Sequence, residues 1–339
     1  WKSQFFSGMM MPIMQFVGNL GYVMVALLGG IFVIKGSIEV GDIQSFFQYI
    51  RNFTQPIQQI AQVTNLLQSS AAASERVFEF LEEEEEVQQP EHPDSIEGLN
   101  GNVQFEHVEF GYNPDKIIVH DFSADVHDGQ KIAIVGPTGA GKTTMVKLLM
   151  RFYDVNKGAI KVDGHDVRNF NRSELHEMFG MVLQDTWLFS GTIMENIRYG
   201  RLDATDEEVI AAAKAAHIHS FIMQQPGGYQ MVLDEETSNI SQGQKQLLTI
   251  ARAILADNKI LILDEATSSV DTRTEMQIQK AMDNLMKGRT SFVIAHRLST
   301  IRNADRIVAM RDGKIVEVGS YDELMEKKGY FYELKALQS

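Results

Sequence analysis

An octapeptide, GPTGAGKT from Gly136 to Thr143, constrains this chain more than any other stretch. It follows KIAIV, Lys131 to Val135, an apolar, β-rich run that reads as a buried strand, and it leads into TMVKLLM, Thr144 to Met150, which has a helical pattern. The glycines at 136, 139 and 141 admit backbone torsions and close approaches that a Cβ forbids, so successive N–H groups can converge on an anion. The N-terminus of the following helix adds positive potential at the same place. The segment fits the phosphate-loop pattern G-x-x-x-x-G-K-[ST]: Lys142 can reach β- and γ-phosphates, and the Thr143 hydroxyl can meet Mg²⁺. Thr138, Ala140 and Thr144 count with these as nucleotide-contacting positions.

With 339 residues there is room for two or three domains. A net charge of −14 argues against a nucleic-acid partner, since proteins that grip phosphate backbones usually carry a basic face. Much of that charge is local: eight acidic residues and no Lys or Arg lie between Glu82 and Glu97. The chain has no cysteine, which excludes disulfides, thiolate metal sites and a cysteine nucleophile.

From Ser3 to Ile34 there is no charged residue, and Phe5 to Ile34 is rich in Met, Val, Leu, Ile, Phe and Gly. About 20 such residues span a bilayer, so this stretch is expected to cross one with some tilt. After the polar turn KGSIEVGD, Ile43 to Leu67 alternates Phe46, Phe53, Ile57 and Ile60 with Gln44, Gln48, Arg51 and Gln55. Helical spacing separates these into two faces, and in a membrane the polar one should line a cavity or meet other helices. Residues 1–70 are therefore expected to form a transmembrane hairpin, with 71–98 as a helical extension and acidic linker and a domain boundary near Leu99.

From Val103 the pattern becomes α/β. VQFEHVEF and FSADV read as strands, as do AIKVDG and Gly180 to Gln184. A mostly helical region runs from Thr205 to about Ala256, opened by a capping box of Thr205 and Glu208. KILILD, SFVIAH, RIVAM and KIVEVG then read as buried strands separated by helices. The order is that of a wound, mostly parallel sheet carrying a helical insertion. In KILILDEATSSVD, Asp264 falls at the carboxyl end of a buried strand, where open α/β sheets place their ligands. An Asp there can hold Mg²⁺, and Glu265 beside it can orient or deprotonate an attacking water.

At this point the sequence resembles an ABC transporter, and more closely a multidrug-type ABC exporter half in which membrane helices precede the ATPase on one chain. The resemblance rests on the phosphate loop together with Tyr112, Gln184, NISQGQKQLL at Asn239 to Leu248, LDEATSSVD at Leu263 to Asp271, and His296. It implies a P-loop NTPase domain of ABC type with an antiparallel β subdomain and a helical subdomain. It also implies ATP and Mg²⁺ as cofactors, and ATP hydrolysis coupled to efflux of a drug, lipid or peptide across the cell membrane.

Position by position, the resemblance implies that Tyr112 stacks on adenine and that Gln184 meets Mg²⁺ and the water. Thr143 and Asp264 would organise the metal, Glu265 would be the catalytic base, and His296 would contact the γ-phosphate. Ser241, Gly243 and Gln244 would serve ATP held by a second exporter half, and Asp271 would meet that half across the dimer. Membrane lipid and a transported small molecule are the other expected partners.

Two departures stand out. The family's LSGGQ reads ISQGQ here: Ile240 replaces Leu, and Gln242 puts a bulky side chain where backbone should approach phosphate. With Glu265 intact, this asymmetry favours a heterodimer in which the chain lends a weakened signature to a different partner; a homodimer that tolerates Gln stays open. In addition the chain offers two of the family's six spanning helices, resembling the last two, so an upstream part is expected to precede Trp1.

Overall fold

The computed structural model describes residues 2–83, 85, 90–113, 115–183, 186–234, 239–264, 271–295 and 298–338. They form two compact units, Trp1–Glu86 and Val87–Ser339.

The first unit is a helical hairpin, α1 (Lys2–Ile34) and α2 (Val40–Glu82). The turn between them follows from Gly36, whose φ of +70° suits glycine, and from Asp42, which accepts from the Glu39 N–H at 2.9 Å and so caps α2. The two helices touch where side chains are small or flat. An added Cβ at Gly29 would lie 2.8 Å from Ile43, and the Tyr22 and Phe47 rings are 5.4 Å apart. Gln15–Ile34 is the one span among the described residues that is long and apolar enough to cross a membrane. α2 is not, because its glutamines and Arg51 interrupt the apolar positions. It also runs unbroken past position 70 to Glu82, since SAAASERVFEFLE contains good helix formers and no breaker. In this chain Phe16, Leu27, Phe46 and Phe53 are exposed, a pattern that suits contact with lipid or with further helices.

The described residues of the second unit form twelve strands. In chain order they are β1 (Val103–Phe110), β2 (Val119–Val126), β3 (Lys131–Val135), β4 (Lys157–Val162), β5 (His165–Asp166) and β6 (Phe179–Val182). The remaining six are β7 (Gly191–Thr192), β8 (Val232–Leu233), β9 (Ile260–Asp264), β10 (Thr290–Ile294), β11 (Arg306–Arg311) and β12 (Lys314–Gly319). The central sheet has the order β12-β11-β3-β10-β9-β6 and is parallel except for β12, which pairs antiparallel with β11. A second, antiparallel sheet has the order β2-β1-β4-β5.

Alternation along the parallel strands builds two cores, one on each face of the central sheet. Ala133, Val135, Leu261, Leu263 and Val293 face a layer made by the helical region and the helices Gln242–Ala256 and Thr272–Met286. Ile132, Ile134, Ile260, Ile262 and Phe292 face the antiparallel sheet and the helix Lys142–Leu149. Ile96 and Leu99 pack against this second core, and Asp94 bridges to Phe170, so the compact unit starts ahead of Leu99. Asp163 fixes its entry by accepting from the N–H groups of Asn100 and Gly101 at 2.7 and 2.9 Å.

Candidate phosphate-binding site

Register places the chemistry. Ile294 pairs with Ile134 on one side and with Asp264 on the other, so the loop after β3 and the carboxylate ending β9 open on the same edge of the sheet. Gly136 begins that loop with φ +155°, and an added Cβ there would sit 2.3 Å from the Met310 carbonyl oxygen of β11. Gly139 and Gly141 follow at φ +84° and +97°, and Gly141 caps the helix Lys142–Leu149. The loop is also held from outside: the Gly313 N–H donates to the Ala140 carbonyl at 3.2 Å. Ala140 is buried, and Thr138 and Thr143 are exposed on the open side.

Lys142 is buried and folds back over the loop, its Nζ donating to the carbonyls of Gly136 at 2.7 Å and Pro137 at 3.0 Å. Burial pushes its ammonium below the ordinary lysine value, and the Asp264 carboxylate pulls it partly back. Lys142 and Asp264, 122 positions apart in sequence, are brought to one edge of the sheet by the pairing of β10 with β3 and β9. Thr143 and Asp264 supply hard oxygen donors, and among the described residues no group of three or more His, Cys, Asp or Glu is placed to hold a metal ion. That donor set fits Mg²⁺, which is typically held by one or two protein oxygens together with substrate phosphates.

Tyr112 stands beside the helix that leaves the loop, its hydroxyl 3.4 Å from Thr144 Oγ1. Its ring stands edge-on to Tyr153 at 5.0 Å and to Phe110 at 5.1 Å, and Lys147 Nζ lies 5.9 Å from its centroid. A half-exposed aromatic next to the phosphate loop can stack on a base. Tyr153 is a partner the sequence did not single out; only the fold brings it there.

Ser241, Gly243 and Gln244 lie at the N-terminus of the helix Gln242–Ala256. Ser241 Oγ accepts from the Gln244 N–H at 3.4 Å, and Gln244 Oε1 accepts from the Ser241 N–H at 2.8 Å. Two residues expected to address a partner's phosphate therefore form a capping box within this chain. Asp271 likewise caps the helix Thr272–Met286 by accepting from the Arg273 and Thr274 N–H groups, both at 3.1 Å. Its hydrogen bonds from Thr274 and Arg273 hold its carboxyl below the usual range. Gln184, Glu265 and His296 lie outside the described residues.

Comparison with known proteins agrees with this geometry. Residues 119–268 match the family model described as ABC transporter. Over 332 residues the chain is 52% identical to the fatty acid ABC transporter ATP-binding/permease protein of Mycobacterium bovis, covering 98% of this chain and 52% of that protein. It is 42% identical over 327 residues to the ATP-dependent lipid A-core flippase of Desulfotalea psychrophila, covering 96% of this chain and 57% of the flippase. Among solved structures, a bacterial Atm1-family ABC exporter with ATP bound aligns with a TM-score of 0.72 at 34% identity, covering 98% of this chain and 57% of that one. The chain spans about half the length of the curated relatives it matches. A glycine loop and a strand-end aspartate on one sheet edge, a capped ISQGQ helix and these alignments lead to one assignment: the chain belongs to the ABC transporter family.

Proposed function

We propose that this chain is the ATP-binding and hydrolysing part of an ABC exporter half, coupling ATP hydrolysis to efflux of a small molecule or lipid across the cell membrane. The observation that carries the reading is the strand register that opens the glycine loop after β3 and the Asp264 carboxylate ending β9 on the same edge of the sheet, with Lys142 folded over that loop. The apolar span Gln15–Ile34 supports a membrane location, with α2 as the second pass of the hairpin and the second unit in the cytoplasm.

In this reading the N–H groups of Gly139 to Thr143 and the Lys142 ammonium bind and orient the β- and γ-phosphates, and Tyr112 stacks on adenine. Thr143, Asp264 and Gln184 would hold Mg²⁺, which would supply charge neutralisation to the phosphates. Glu265 takes the proton of the attacking water, and His296 steadies the γ-phosphate. The site is completed by the signature serine and glycine of another exporter half; Ser241, Gly243 and Gln244 of this chain serve the ATP held by that half, and Asp271 faces it. Gln242 in place of glycine favours a different half as partner over a second copy of this chain.

Replacing Glu265 with Gln tests the assignment of the base. ATP binding by the assembled transporter should stay within about twofold, while phosphate release falls by about a hundredfold or more. Undiminished release would remove Glu265 from the reaction.

A further inference from the structure

Gln242 departs from glycine in the ISQGQ stretch, and the structure gives its side chain a specific partner. The amide Nε2 donates to Thr186 Oγ1 at 3.1 Å, across 56 positions of sequence. Thr186 directly follows Gln184 and Asp185. Further along the same helix, Arg252 Nη1 donates to the Trp187 carbonyl at 3.2 Å. Arg252 Nε and Nη2 reach the carbonyl and Oδ1 of Asn196 at 2.9 and 3.2 Å. Asn196 in turn grips Phe189, accepting from its N–H at 3.1 Å and donating to its carbonyl at 3.0 Å. Thr186 and Trp187 are thus tied directly to the ISQGQ helix, and Phe189 indirectly, through Asn196 of the helix Ile193–Arg198. Helical spacing puts Gln242, Thr249, Ala253 and Ala256 on one face, and the last three line the same cleft as Thr186 and Trp187.

The fastenings differ in what they hold. Arg252 holds the C-terminal half of the helix, and a glycine at 242 would leave that contact intact. The Gln242 amide is the tie from the first turn, the turn that carries Ser241 and Gly243. We propose that Gln242 is a positioning residue: it fastens the ISQGQ turn to the segment that follows Gln184, so that a displacement of either is passed to the other. The functional meaning rests on the proposed nucleotide roles of Gln184 and Ser241; the tie itself does not.

Amide hydrogen exchange on the full-length, nucleotide-free protein tests the tie. Gln242→Ala should speed exchange at Thr186 to Phe189 by about fivefold, the loss of one ordinary hydrogen bond. Thr186→Val should produce the same change, and the double variant no further one, because both remove a single interaction. Gln242→Glu should restore slow exchange, since its carboxylate can accept from the Thr186 hydroxyl. Unchanged exchange in Gln242→Ala, additive effects in the double variant, or no rescue by Glu would each overturn the proposal. Protection of Gly136 to Thr143 by added ATP is read in the same experiment. Its absence in the unmodified protein would sink the nucleotide reading, while the nucleotide-free comparison would still decide the tie.

Discussion

At the residue scale, the glycine loop separates two reasons for needing glycine. Gly136 and Gly139 both have positive φ, but only Gly136 faces backbone, with the Met310 carbonyl 2.3 Å from where a Cβ would stand; nothing lies within 4 Å of the same position at Gly139. Gly139→Ala should therefore cost only torsional strain, about 1 kcal/mol. Gly136→Ala adds a clash that no side-chain rotation relieves and should cost about 3 kcal/mol. Chemical denaturation of the two variants checks the order, and equal costs would mean that β11 yields freely. The need for glycine at these positions was legible in GPTGAGKT itself. Its physical cause at Gly136 was not, because Met310 is brought there only by the pairing of β11 with β3.

At the element scale, much of the α/β pattern could be read from periodicity and caps. Thr205 and Glu208 form the expected reciprocal pair, with the Thr205 N–H donating to Glu208 at 2.8 Å. The sequence pattern reads β12 as one more wound strand, yet it returns antiparallel. Asp312 and Gly313, at φ +50° and +74°, turn the chain in two residues, which an Asp-Gly pair between two apolar runs favours. Strand periodicity carries no direction, so only that dipeptide held the information. The ISQGQ helix shows the opposite limit, where one residue has two readings. If Ser241 serves only as a cap, Ser241→Ala should cost about 1 kcal/mol and Ser241→Gly a few tenths, with ATP turnover following stability. If it also addresses a phosphate, turnover in the assembled transporter should fall about tenfold or more in both variants, including the stable glycine one. Paired denaturation and phosphate-release measurements distinguish the two, and we expect the second outcome.

At the scale of the whole molecule, the two units meet different demands. The hairpin leaves large apolar side chains exposed along both helices, whereas the second unit buries a core on each face of its central sheet. A hairpin of that kind needs lipid or more helices around it, and the chain spans about half of each curated relative. The proposed composite site sets the same requirement for the second unit, since its phosphate loop and its ISQGQ turn would serve different nucleotides. Subunit mixing tests this in full-length protein. One copy carries Lys142→Met and the other Ser241→Ala, each lowering turnover about tenfold or more when it is the only copy present. Were the transporter a homodimer, mixed pairs would still contain one site with an intact loop and an intact serine, and random pairing would restore about a quarter of the unmodified rate. If the partner is a different half, as Gln242 favours, mixing the two copies should restore less than about a twentieth. Adding that different half to the unmodified chain should then raise phosphate release about tenfold or more over the chain alone. Recovery near a quarter would instead establish that a glutamine in this signature works between identical subunits, and would remove the argument for a heterodimer.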